Sequence, residues 1–156
     1  MPASRREEIL NVYKAYCAER DRCEKGEAPW SALAAFFTDD AVFTDPAWGR
    51  VEGIEAVRRF LDDSMAGLEG WTFPHLWTMV DDDRVVSAWM NRLPGSDDQG
   101  RPHEALGVSI LEYAGDGKFR SETDVLNMVE VMEVVTASGW APGPDVNAPP
   151  MPPRRR

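Results

Sequence analysis

The stretch FFTDDAVFTDPAWGRVEGIEAVRRFL, residues 36–61, changes its hydrophobic period twice, and that change carries the fold. Phe36 and Phe37 close an apolar pattern at helical spacing that Pro29 opens and that Trp30 and Leu33 share, with Asp39 and Asp40 ending it. AVFTD then alternates as a short strand, placing Ala41, Phe43 and Asp45 on one face and Val42 and Thr44 on the other. The turn PAWGRVEG leads into IEAVRRFLDDSM, where Ile54, Val57, Leu61 and Met65 line one side of a helix that Gly67 stops.

Upstream, Ser4 and Glu7 form a capping box, and Ile9, Val12, Tyr13, Tyr16 and Cys17 recur as a helix over about 5–23. Downstream of Trp71 the period falls to two, and β-branched and aromatic residues predict strands at about 71–80, 84–93, 103–114 and 118–127. Tight turns at 81–83 and 114–117 and the loop PGSDDQGRP imply consecutive antiparallel hairpins. MVEVMEVV reads as a short final helix. Three helices followed by a twisted meander is an α+β plan: one domain over 1–138, a curved antiparallel sheet wrapped around the N-terminal helices, and a proline-rich tail over 139–156 that drapes or moves. Such a curled sheet encloses a pocket, mostly apolar with a few placed polar groups.

Charge excludes several functions. Seventeen basic against 27 acidic residues give a net −10, which repels phosphate backbones, and no basic stripe with interleaved aromatics is present. No nucleic-acid partner, no membrane span and no signal segment is expected, which points to a cytoplasmic protein. Cys17 and Cys23 match neither a redox pair nor a zinc site, and the run Asp81, Asp82, Asp83 lacks the ligand spacing of a calcium loop, so neither metal nor cofactor is expected.

Among chemistry-bearing residues, Asp45 shares a face with Phe43, and a carboxylate beside aromatic surface loses solvation and becomes a better base. The alternative is an Asx residue that opens the turn with Pro46. Trp71, Phe73, His75, Trp77 and Met79 alternate onto one face, core first and ligand surface second, with His75 either a proton shuttle or a packed residue. Pro74 makes this segment an edge strand or demands a bulge. In KFRSETDVLN, Arg120, Glu122, Asp124 and Leu126 share a face. That face is either a salt-bridged exterior or one on which Glu122 lines the pocket and Asp124 acts as acid or base.

The quoted stretch resembles the segment LFADDAxxxDPxxGxxxGxxAIxxF of ketosteroid isomerases and SnoaL-like proteins, members of the cone-shaped nuclear transport factor 2-like (cystatin-like α+β) superfamily. The resemblance implies that Asp45 is the general base, that Tyr13 stands near the oxyanion-hole tyrosine, and that Ser109 replaces the second, protonated Asp of the isomerases. The last strand is similar to the GKIxxWRDYFD strand of limonene epoxide hydrolases and SnoaL-like cyclases, with Asp124 matching the catalytic Asp and Glu122 replacing the tryptophan. Val86 and Ala88 stand where those hydrolases need Arg and Asp, which argues against epoxide hydrolysis.

The resulting expectation is a cofactor-independent isomerase, cyclase or lyase of a hydrophobic carbonyl compound such as a polyketide or steroid-like molecule. Asp45, Asp124, Tyr13 and His75 are its candidate catalytic residues, and Phe43, Phe73, Trp77, Ser109 and Glu122 its candidate lining. The alternative is a binding or dimerisation module of the same fold. A homodimer through the outer sheet face is implied by the resemblance alone.

Overall fold

The computed structural model describes residues 3–151. Helix α1 runs Arg5–Glu24. Ser4 Oγ accepts from the Glu7 amide, and the Glu7 carboxylate accepts from the Ser4 amide at 2.7 Å, so the expected capping box starts the helix. Its buried stripe is Ile9, Tyr13, Tyr16, Arg20 and Cys23. The expected second helix is a single 3-10 segment, Trp30–Phe36, and strand β1 begins earlier than AVFTD, spanning Phe37–Asp45. The turn after Asp45 contains a short strand that the sequence reading passed over, β2, Gly49–Glu52. Helix α2, Ile54–Met65, follows and buries Val57, Phe60 and Leu61.

The meander comprises β3 (His75–Asp81), β4 (Arg84–Ser96), β5 (Pro102–Gly115) and β6 (Lys118–Leu126), and helix α3, Met128–Ser138, follows it. The six strands order β2-β1-β6-β5-β4-β3. All neighbours are antiparallel except β1 and β6, which run parallel because the chain circles the whole sheet before β6 returns beside β1. That return brings the Asp-Pro strand against the last strand. The helices cover the inner face, and Tyr13, Tyr16, Phe37, Phe43 and Phe119 fill the space between.

Two expectations about faces need correction. Trp71 and Phe73 turn inward, but an irregularity between His75 and Trp77 reverses the alternation, so Trp77 and Met79 lie 47% and 60% exposed. Pro74 is the cause: it has no N–H to pair, β3 starts only after it, and β3 forms the sheet edge with the bulge at its start. On β6 the alternation breaks after Phe119. Arg120 is exposed, near Glu112 at 3.5 Å, while Glu122 is buried, so these two do not share a solvated face.

The segment after α3 drapes over the body. Trp140 packs edge-on against Trp71, Asn147 donates to the Asp63 carbonyl, and Val146 fills the place where a Cβ on Gly67 would sit.

Candidate functional site

Register across the sheet sorts the inner face into two rows. Val80, Val85, Leu111, Glu122, Phe43 and Val51 lie side by side on the six strands, so Glu122 is a carboxyl in an otherwise apolar row. Two residues along, Thr78, Ser87, Ser109 and Asp124 form a polar row, and Asp45 completes it one step beyond the Thr44–Thr123 pairing. Neighbouring positions of five strands thus gather hydroxyls and carboxyls at one depth.

The groups are wired together. Tyr16 donates to Glu122 Oε2 at 2.8 Å, and the Glu122 and Asp124 carboxyls lie close enough for each to feel the other. Trp89 Nε1 donates to Ser109 Oγ at 2.9 Å, so the serine proton points onward to Asp124 Oδ1 at 2.6 Å. The Trp89 ring lies on Gly107, where an added Cβ would meet it at 2.5 Å, and this contact aims the indole N–H along the row.

Burial sets the charge state. Desolvation pushes Asp124 well above the ordinary carboxylate range, with the Glu122 charge adding to it, and it raises Glu122 as well. Two such carboxyls share one proton more readily than they both ionise. Desolvation likewise raises Asp45, opposed by the Trp48 and Ala47 amides, which donate to its Oδ1 at 2.8 Å each. Asp45 is therefore an Asx turn residue through one oxygen, and it neighbours Asp124 through its field.

Tyr13 differs from Tyr16. Its phenol is buried beside Ser87, whose Oγ already pairs with Thr78 Oγ1 and the Trp77 carbonyl, and the phenol has no hydrogen-bond partner among the described residues. One helical face carries on to Arg20, which is 8% exposed and gives Nη2 to the Phe73 carbonyl at 3.3 Å.

A model of the SnoaL-like domain matches residues 21–122, most of the chain. The protein belongs to the SnoaL-like domain family. Its fold is also that of a candidate SnoaL-like polyketide cyclase from Jannaschia sp. CCS1, at TM-score 0.66 and 16% identity over 88% of this chain and 98% of that one. TerC co-crystallised with polyporic acid matches at TM-score 0.60 and 19% identity, covering 83% of this chain and 98% of its own. An LEH-like epoxide hydrolase from M. tuberculosis matches at TM-score 0.64 and 13% identity over 85% and 92%. No curated protein matches.

In this SnoaL-like chain, Asp45, Asp124, Glu122, Ser109 and Phe43 meet on the inner face, with Tyr13 above them on α1. Phe73 packs on Trp89 at 5.6 Å between ring centres. Trp77 does not join, and His75 reaches the row only from the sheet edge, through Thr78. His75 is exposed at the sheet edge, with its Nε2 2.6 Å from Thr78 Oγ1, and Trp77 faces outward. Tyr16, Arg20 and Trp89 are the residues that sequence reading missed. Arg20 falls on the buried stripe of α1, and a cation at such a position was a readable signal. The hollows described lie elsewhere: one of about 310 Å³ between β2 and α2, with Trp48, Arg59 and Phe60 in its wall, and a shallow groove over Met128, Val129 and Met132 of α3. Neither has Asp45, Glu122 or Asp124 in its wall. No helix among the described residues is long and apolar enough to cross a membrane.

Proposed function

We propose that this chain is a cytoplasmic, cofactor-independent acid/base enzyme, an isomerase, cyclase or lyase of a hydrophobic carbonyl compound such as a polyketide or steroid-like molecule, with Asp45 as general base. One observation carries the reading: Asp45 and the Glu122–Asp124 pair lie side by side on β1 and β6, Glu122 buried and the two aspartates partly buried, with desolvation raising all three carboxyls. A base of raised pKa is matched to removing a proton next to a carbonyl near neutral pH.

In this mechanism the free oxygen of Asp45 takes the proton from the carbon, and the C–H electron pair moves into the carbonyl to give an enolate. Tyr13, whose hydroxyl is unspent, donates to the forming oxyanion. Asp124 holds a proton next to the base, supported by Ser109 and Trp89, so a carboxyl from β6 stands in for the acid that Ser109 replaces on β5. The enolate is then reprotonated at another carbon, attacks a second carbonyl, or expels a leaving group; these outcomes are isomerisation, cyclisation and elimination. His75 has no part in this scheme, because its ring lies at the exposed edge.

The outer face of the sheet supports a homodimer. Trp77, Met79, Leu106 and Val125 are all 47% exposed or more, and register brings them onto one apolar surface with Val86, Val108 and Ile110. A purely binding or dimerisation role is the second reading. It is favoured by the spending of Asp45 Oδ1 on its own turn.

Hydrogen–deuterium exchange at the α-carbon of 2-tetralone separates the two readings. Asp45→Asn should lower the exchange rate by roughly a thousandfold with an unchanged circular dichroism spectrum. Undiminished exchange in the folded variant contradicts catalysis by Asp45.

A further inference from the structure

Three buried side-chain polar atoms lack a hydrogen-bond partner among the described residues: Tyr13 Oη, Arg20 Nε and Trp71 Nε1. All three carry protons, and none is a pure acceptor. A buried donor without an acceptor is costly, and more so when it is charged, so these donors call for a partner that brings oxygens and no protons.

Arg20 is the most demanding of the three. It is 92% buried as the complement of its 8% exposure, and it forms no ion pair within 4.0 Å among the described residues. The carboxyls whose fields reach it are already engaged: Glu24 accepts from the Phe73 amide at 2.9 Å, and Glu122 accepts from Tyr16. Its one hydrogen bond goes to the neutral Phe73 carbonyl at 3.3 Å. Glu24 and Arg20 thus clamp the Phe73 backbone to α1. The ring of that same Phe73 packs edge-on against Trp30 at 5.9 Å and against Trp89 at 5.6 Å.

We propose that the site takes a hydrophobic organic acid, whose carboxylate is held by the Arg20 guanidinium while its apolar body lies against the Trp30, Phe73 and Trp89 rings. This rests on the proposed acid/base function and narrows its substrate to an anion. The Tyr13 hydroxyl, on the same buried stripe of α1, is left for the reacting carbonyl. A guanidinium meets a carboxylate through two parallel N–H donors, which a neutral alcohol of the same body cannot engage.

The probes are 1-naphthoate and the uncharged 1-naphthylmethanol, measured by calorimetry at pH 7.5. The wild-type protein should bind naphthoate at least tenfold more tightly, and Arg20→Met should remove that preference. Equal affinity for the two probes in the wild type, or a preference that survives in Arg20→Met, overturns the proposal. A reading free of any variant is the Arg20 Nε–H resonance of the wild type: naphthoate should move it and naphthylmethanol should not, and an unmoved resonance under saturating naphthoate contradicts the assignment. Asp45→Asn separates this subsite from the catalytic reading. It should keep the naphthoate preference whether or not exchange is lost, so each claim fails on its own measurement.

Discussion

Tyr13 and Tyr16 stack 5.8 Å apart on α1, yet they face two differently built regions. The Tyr16 side is closed: Tyr16 donates to Glu122, Trp89 donates to Ser109 and Ser109 to Asp124, and the two runs meet at the Glu122–Asp124 pair. The Tyr13 side is open: the Tyr13 hydroxyl and the Arg20 Nε–H find no acceptor among the described residues. A closed network fixes protonation without help. An open one holds its donors ready for what arrives, and the proposed function gives proton storage to β6 and ligand capture to α1.

Substitutions test that division, beginning with the largest effect. Tyr16→Phe keeps the ring and removes the donor to a buried carboxylate, which should cost about 3 kcal/mol in urea unfolding at pH 7. A loss below about 1 kcal/mol would mean that the closed side is not closed.

Next comes the dependence of stability on pH. Asp124 and Glu122 have folded-state pKa values above the unfolded ones, so their protonated forms favour folding. Their contribution is fully present below the unfolded carboxylate range of about 4 and is lost as pH rises through the raised folded values. The wild type should therefore lose stability over that interval relative to Asp124→Asn, which has no proton to release at that position. Parallel profiles for the two would contradict a shared buried proton.

The smallest effect is expected from Tyr13→Phe. Removing a hydroxyl that has no partner should change stability by less than about 0.5 kcal/mol or raise it, in contrast with the neighbouring tyrosine.

Much of the fold was legible because its signals are local. The capping box at Ser4, the face of α2 and the period change at Trp71 need only neighbours in sequence, and the Asp-Pro stretch carried the family. The site was less legible, because it depends on which strands come to lie together. Glu122 is one charged letter in KFRSETDVLN until the parallel return of β6 beside β1 puts it in a row with Leu111 and Phe43. Alternation alone put Trp77 inside, and the bulge at the start of β3 put it outside. Asp45 was left between a base and an Asx residue, and the geometry gives it one oxygen for the turn and one to spare.

The central claim is that Asp45 and the Glu122–Asp124 pair form a buried acid/base site whose carboxyls hold protons toward neutral pH. Carbon-13 NMR titration of the Asp and Glu side-chain carboxyls addresses it most directly. The account predicts that the resonances of Asp45, Glu122 and Asp124 titrate above the ordinary carboxylate range, with Glu122 and Asp124 moving together as one coupled pair. Independent titration of all three near pH 4, as for exposed carboxylates, would contradict it.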